Sequence, residues 1–191
     1  KANSMAETEE GRKFEKIALD FLKQNNLPEA ESNFIQALNH MKRSGDEEGQ
    51  AYVLGNLGNL CFQSRRLDKA EEYYGKALTY MEKVNDIRGI ESSLGNLGSV
   101  LFYKGNLNEA EKTYKKALKF LEDANDTEGQ SIYNENLGNV YLKKEELAKA
   151  EDYFNRAKTL LDSEKNKDRI KAVEDKLDAL QKHPQYVEGK E

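Results

Sequence analysis

A fixed interval of forty residues constrains this chain more than any other feature. Ala30, Ala70, Ala110 and Ala150 stand forty apart, each followed by Glu at 31, 71, 111 and 151. Ala37, Ala77, Ala117 and Ala157 keep the same step, as do Phe34, Tyr74, Tyr114 and Phe154. The stretch Leu94 to Leu118 (LGNLGSVLFYKGNLNEAEKTYKKAL) returns at Leu54 to Leu78 and at Asn134 to Lys158, with a weaker copy at Phe14 to Leu38. A period of this size means stacked supersecondary units, none of which buries its apolar face alone.

Two helices per unit account for the spacing. Phe14, Ile17, Ala18, Phe21 and Leu22 recur at helical steps, and so do Ala30, Phe34, Ala37, Leu38 and Met41. Asn25-Asn26 separates these two runs, and Pro28 falls in the first turn of the second, where a missing N–H is harmless. The pattern predicts inner helices over about 47–63, 87–103 and 127–143, with outer partners over about 67–83, 107–123 and 147–162. Asp46, Asp86 and Asp126 precede the inner helices as N-caps for the first orphan N–H groups. Gly49, Gly89 and Gly129 follow three residues later, and glycine so early in a helix implies close contact with the preceding helix. Ile170, Val173, Leu177 and Leu180 predict a ninth helix over about 166–182. It reads as a cap with one polar face, since a dimerising coil needs a longer heptad run. Residues 1–11 are expected to be a disordered lead-in, with Lys1 to Ser4 a cloning remnant ahead of Met5, and residues 183–191 a disordered tail.

Within a unit, Gly98, Ala110 and Ala117 are small enough for two helices to approach, while Leu97, Leu101 and Tyr114 fill the space that remains. This order of Leu-Gly, Ala, aromatic and Ala resembles the tetratricopeptide repeat. HEAT and armadillo repeats share a period near forty without it. The usual tetratricopeptide period is about thirty-four, so the additional six residues are expected to lengthen the helices. The forty-residue spacing, with Asp-x-x-Gly before and Asn-Leu-Gly-Asn inside the inner helix, is similar to that of Pins-type spindle-orientation adaptors and kinesin light chains. The resemblance covers Phe14 to Leu161 and implies an all-α fold. Its expected form is a right-handed solenoid of four hairpins (12–45, 46–85, 86–125 and 126–164) and a capping helix over 165–182. It implies a non-enzymatic scaffold whose concave groove binds a protein or peptide.

Composition excludes several alternatives. The 30 basic and 35 acidic residues are interspersed, giving a net charge of −5 without the basic stripe that nucleic acid requires. No apolar run is long enough for a membrane helix or a signal peptide. The single Cys, Cys61, excludes an intramolecular disulfide framework and fits a reducing, cytoplasmic setting. It shares its register with Phe21, Leu101 and Tyr141 and reads as a small core residue. His40 and His183 have no partners at metal-binding or nucleophilic spacing, so no catalytic residue, metal or cofactor is expected. The chain is expected to be a monomer.

The inner-helix face away from the core carries Asn56, Asn59 and Gln63, then Asn96, Ser99 and Tyr103, then Asn136, Asn139 and Lys143. Asn is a poor helix former because its side chain competes with the backbone, so its repetition there asks for a reason. In the adaptors and kinesin light chains that the chain resembles, Asn at the place of Asn56, Asn96 and Asn136 holds an extended peptide's main chain. One amide can donate to a C=O and accept from an N–H, so a ladder of them grips backbone regardless of sequence. Phe62, Phe102 and Tyr103 would add apolar side-chain pockets. The alternative use of the same amides is to bond neighbouring inner helices and set the twist. Arg12 and Lys16, with Lys23, make a basic end on the first helix, either for an acidic ligand segment or merely solvated. The carboxylate clamp of co-chaperone repeats would need basic residues at Gly55, Ile132 and Asn136, which argues against chaperone C-terminal tails as ligands. The rival from another class is a structural module that self-assembles through its ends or convex face.

Overall fold

The computed structural model describes residues 2–188, and among these the chain is entirely helix and turn. The helices are α1 (Ala2–Lys23), α2 (Leu27–Ser44), α3 (Glu47–Gln63), α4 (Leu67–Lys83) and α5 (Ile87–Tyr103), followed by α6 (Leu107–Asp123), α7 (Thr127–Lys143), α8 (Leu147–Thr159), α9 (Lys167–Gln181) and α10 (Pro184–Glu188). The fold is all-α, with successive helical hairpins at the predicted interval. Helices α3 to α7 are each 17 residues long, about 25 Å. The extra residues therefore lengthen helices, and the turns between them stay three residues long.

Those turns share one conformation. Asn25, Gly45, Arg65, Asn85, Gly105, Asn125 and Glu145 all have left-handed φ, from 54° to 83°. The residue after each sends its N–H back to a carbonyl five positions earlier, as from Arg66 to Cys61 at 2.8 Å and from Glu146 to Tyr141 at 2.9 Å. This is the 6→1 bond of a Schellman stop. The same residue then opens the next helix. Asp46, Asp86 and Asp126 accept from the N–H of Gly49, Gly89 and Gly129 at 2.8, 3.0 and 2.9 Å, as the spacing predicts.

The chain forms two compact units that divide within α5, between Val100 and Leu101. In the first unit Phe34, Met41, Leu57 and Leu60 lie in one core cluster. Cys61, Ala70, Tyr74 and Val100 make a second cluster. The Tyr74 ring rests on Gly58, where an added Cβ would stand 2.5 Å from it. In the second unit the Phe154 ring rests on Gly138 with the same 2.5 Å clearance. The early glycines make the contacts expected of them, Gly49 against Met41, Gly89 against Met81 and Gly129 against Leu121.

The ends differ from the sequence expectation. The lead-in is helical from Ala2, because its residues dock on α2. Ser4 Oγ donates to the Ser44 carbonyl at 3.0 Å. The Glu7 carboxylate lies 2.5 Å from His40 Nδ1 and 3.2 Å from Arg43 Nε. Helix α8 stops at Thr159, short of 162, and Asp162 instead accepts from the N–H groups of Glu164 and Lys165 in the following turn. Val173, Leu177 and Leu180 of α9 join Tyr141, Leu147 and Phe154 in the second unit's core. The expected disordered tail is the short helix α10 as far as Glu188, and Lys1 and residues 189–191 lie outside the described residues.

Two glycines in one hairpin should respond oppositely to alanine. No atom lies within 4 Å of a Cβ built on Gly75, so Gly75→Ala should stabilise by about 0.5–1 kcal/mol through reduced chain entropy. Gly58→Ala forces the Tyr74 ring aside and should destabilise by about 1–3 kcal/mol. Chemical denaturation of both variants measures the signs. A second test concerns α9. Leu177→Asp with Leu180→Asp puts charge into the second unit's core, where each lost apolar side chain is worth roughly 1.5–3 kcal/mol. Hydrogen exchange should then rise in α7 to α9 and change little in α1 to α4, because repeats depend mainly on their neighbours.

Candidate functional site

In the first unit, α3 and α5 face each other across a cleft of about 340 Å³. Buried side chains of Ala51, Tyr74 and Met81 line its apolar part. One wall is Tyr52, Gly55, Asn56 and Asn59 from α3, and the other is Arg88, Ser92, Ser93 and Asn96 from α5. Three of the predicted ladder residues, Asn56, Asn59 and Asn96, thus meet at one place.

Their amides are not equivalent. Asn59 Oδ1 accepts from the Tyr74 hydroxyl at 2.6 Å, which ties the inner helix to its outer partner. Burial pushes the Tyr74 phenol far above its ordinary range, so it stays a donor. Asn56 and Asn96 are half-buried and make no side-chain hydrogen bond among the described residues. Gly55, next to Asn56 on α3, also lines the cleft, with nothing within 4 Å of where its Cβ would be. A ligand main chain can therefore come close to α3 there.

One end of the cleft is held by Asp86. Its carboxylate accepts from Gly89 N–H at 3.0 Å and from the Tyr52 hydroxyl at 2.9 Å. The Gly89 bond foremost, then the Tyr52 bond, holds the Asp86 carboxyl below the usual carboxylate range. The reciprocal effect pushes the Tyr52 phenol up. Arg12 repeats this arrangement forty residues earlier, its guanidinium 3.2 Å from Asp46 and 3.7 Å from Glu15. The predicted basic end is therefore reduced, since Arg12 is engaged by two carboxylates while Lys16 is exposed.

The other predicted residues fall elsewhere. Phe62 packs partly buried against Cys61, Ala70, Tyr74 and Val100, so it supports the core instead of opening a pocket. Burial pushes the Cys61 thiol up, in keeping with an inert core position. Gln63 is exposed at the end of α3. Ser99 Oγ donates to the Gly95 carbonyl at 3.1 Å. Phe102 and Tyr103 form an edge-to-face pair at 5.4 Å in the second unit, with Tyr103 61% exposed. Asn136 and Asn139 lie half-buried on α7, and Lys143 is exposed at its end. Neither of these two Asn has a side-chain hydrogen bond among the described residues. Asn139 lacks the bond of Asn59 because Phe154, without a hydroxyl, replaces Tyr74. Glu135, by contrast, is bound by Lys176 at 2.6 Å and lies 3.9 Å from Arg169. Sequence reasoning missed Tyr52, Gly55, Arg88 and Ser92. The signal for Tyr52 was its register with Arg12, and for Gly55 its register with Glu135.

Among the described residues no three His, Cys, Asp or Glu side chains are placed to hold a metal. No helix there is long and apolar enough to cross a membrane. The sequence pattern of the family described as Tetratricopeptide repeat matches residues 9–83 and 89–163. No curated protein matches the chain. Among solved structures, BtubC (BKLC) from P. vanneervenii is similar at a TM-score of 0.79 and 19% identity, covering 98% of this chain and 84% of that one. A signal transduction ATPase with numerous domains and a tetratricopeptide repeat sensor, from Pyrococcus horikoshii, gives 0.80 and 17% over 87% of this chain and 26% of its own. A protein from Podospora anserina described as a kinesin light chain with nearly identical TPR-like repeats gives 0.74 and 13%, over 89% and 84%. At these identities the likeness concerns the fold alone.

The Asp86 staple has a measurable acid limit. A carboxyl lowered by folding stabilises the fold above its unfolded value, about 3.9, and loses that contribution as pH falls through the lowered value. A carbon-13 carboxyl titration should place Asp86 below about 3.9, and Tyr52→Phe should move it upward. An unmoved value would show that the hydroxyl contributes nothing.

Proposed function

The chain belongs to the tetratricopeptide-repeat family, and from that premise we propose that it is a non-enzymatic scaffold gripping an extended peptide segment between α3 and α5. Repeats of this family mediate contact between proteins. The observation that carries the finer reading is the pair of unbonded amides, Asn56 and Asn96, on opposite walls of one cleft beside the side-chain-free Gly55. Each amide offers two donors and an acceptor, the complement of a peptide unit. Asn59 belongs to the supporting structure through Tyr74 and retains its NH₂ donors for a ligand. Asn136 and Asn139 offer the same chemistry in the second unit.

A net hydrogen bond is worth about 0.5–1.5 kcal/mol, so an Asn making two of them should cost about 1–3 kcal/mol of binding when changed to Ala. Asn96→Ala and Asn56→Ala should therefore each weaken a bound peptide by roughly five- to a hundredfold. The melting temperature should hold or rise, since Ala is the better helix former. Isothermal titration with peptides from an array screen, alongside thermal melts, checks both halves. A melting temperature that falls while affinity stays constant would assign the amides to the fold.

A further inference from the structure

Building on the peptide reading, we infer that the ligand carries an acidic side chain, received by Arg88, within about two residues of an aliphatic one seated against Ala51, Tyr74 and Met81. Arg88 is exposed, lines the cleft, and its guanidinium makes no ion pair or hydrogen bond among the described residues. Most other arginines are engaged. Arg12, Arg43, Arg66, Arg156 and Arg169 each sit in an ion pair with Asp or Glu. The neighbouring carboxylate, Asp86, is occupied by the Gly89 N–H and the Tyr52 hydroxyl. It lowers the local positive charge without using the guanidinium fork.

The register singles out the same residue. Forty positions to either side of Arg88 stand Glu48 and Glu128, so the cation belongs to this wall and not to the repeat pattern. A guanidinium presents parallel N–H donors that match a carboxylate bidentately. Ser92, one turn further along α5 on the same face, is exposed and adds a hydroxyl. The apolar seat is adjacent, because Met81 packs directly on Gly89. Main chain held by Asn56 and Asn96 would place one side chain inward on Ala51 and Met81, and a near neighbour toward Arg88. Both ends of the chain chemistry are thus satisfied, with the carboxylate coming from a side chain.

A random-peptide phage library whose peptides have no free C-terminus tests this on the full chain. Wild-type selections should enrich Asp or Glu within two positions of Leu, Ile, Val or Met. An enriched peptide, made with both ends blocked and measured by fluorescence anisotropy at low salt, should bind Arg88→Glu about five- to tenfold more weakly. It should bind Arg88→Lys with an intermediate loss, and thermal melts of both variants should match wild type. Enriched peptides without an acidic residue, or bound equally by Arg88→Glu, overturn the inference. If those peptides still lose affinity on Asn56→Ala or Asn96→Ala, the amide reading stands while the acidic assignment falls. A selection that enriches nothing refutes both.

Discussion

An aromatic ring lying flat on a helical glycine is the contact that lets a hairpin close. Tyr74 on Gly58 and Phe154 on Gly138 leave no room for a Cβ. Glycine weakens the inner helix by about 1 kcal/mol, which burial of a whole aromatic side chain more than offsets. Near the start of the same inner helices, Gly49 and Gly129 admit Met41 and Leu121 of the preceding outer helix. Helices α3 and α7 are thus each pinned on two sides by the absence of a side chain. Another side carries Asn56 in α3 and Asn136 in α7, both half-buried and without a side-chain hydrogen bond among the described residues.

The turns explain why so regular a stack tolerates varied residues. Each needs one left-handed position, supplied by Gly twice, by Asn three times, and by Arg65 and Glu145. Asn adopts this region more readily than other L-residues because its short side chain bonds locally, whereas Arg and Glu gain nothing there. The Schellman bond is made by backbone alone and so survives all seven choices. Asp at the inner-helix caps does more than end a turn. Asp46 and Asp86 also receive Arg12 and Tyr52 from the preceding inner helix, so one carboxylate serves a cap and a staple.

Within the repeats, the helices from α2 to α7, their boundaries to within a few residues, the Asp caps and the early-glycine contacts were legible, because each repeats at forty residues and repetition averages out local noise. What was not legible lies where the repeat stops. Residues 2–11 look polar and acidic, yet Glu7 becomes ordered by His40 and Arg43, more than thirty residues away. Nothing local in MAETEEG reports those partners. The Asn ladder was visible as residue types, but Asn59 and Asn139 differ only through the residue fifteen positions on, Tyr74 in one case and Phe154 in the other. Arg12 read as part of a basic end on the first helix, because nothing local reports that Asp46, 34 residues on, receives it while also capping α3.

The two units answer the same geometry with opposite chemistry. Glu135 stands eighty positions from Gly55, and Lys176 stands eighty from Asn96. In the second unit these two residues meet as an ion pair at 2.6 Å, and Arg169 approaches the same carboxylate. In the first, glycine and asparagine leave the corresponding space open beside α3. An ion pair of this kind satisfies both partners and asks nothing of a ligand. An unbonded amide beside a glycine remains incomplete until water or a peptide unit meets it. Gly55 and Asn96 in one unit, against Glu135 and Lys176 in the other, thus mark where the gap beside the inner helix is left open or closed by an ion pair. The fold provides the gap, and residues 55 and 96 leave it open.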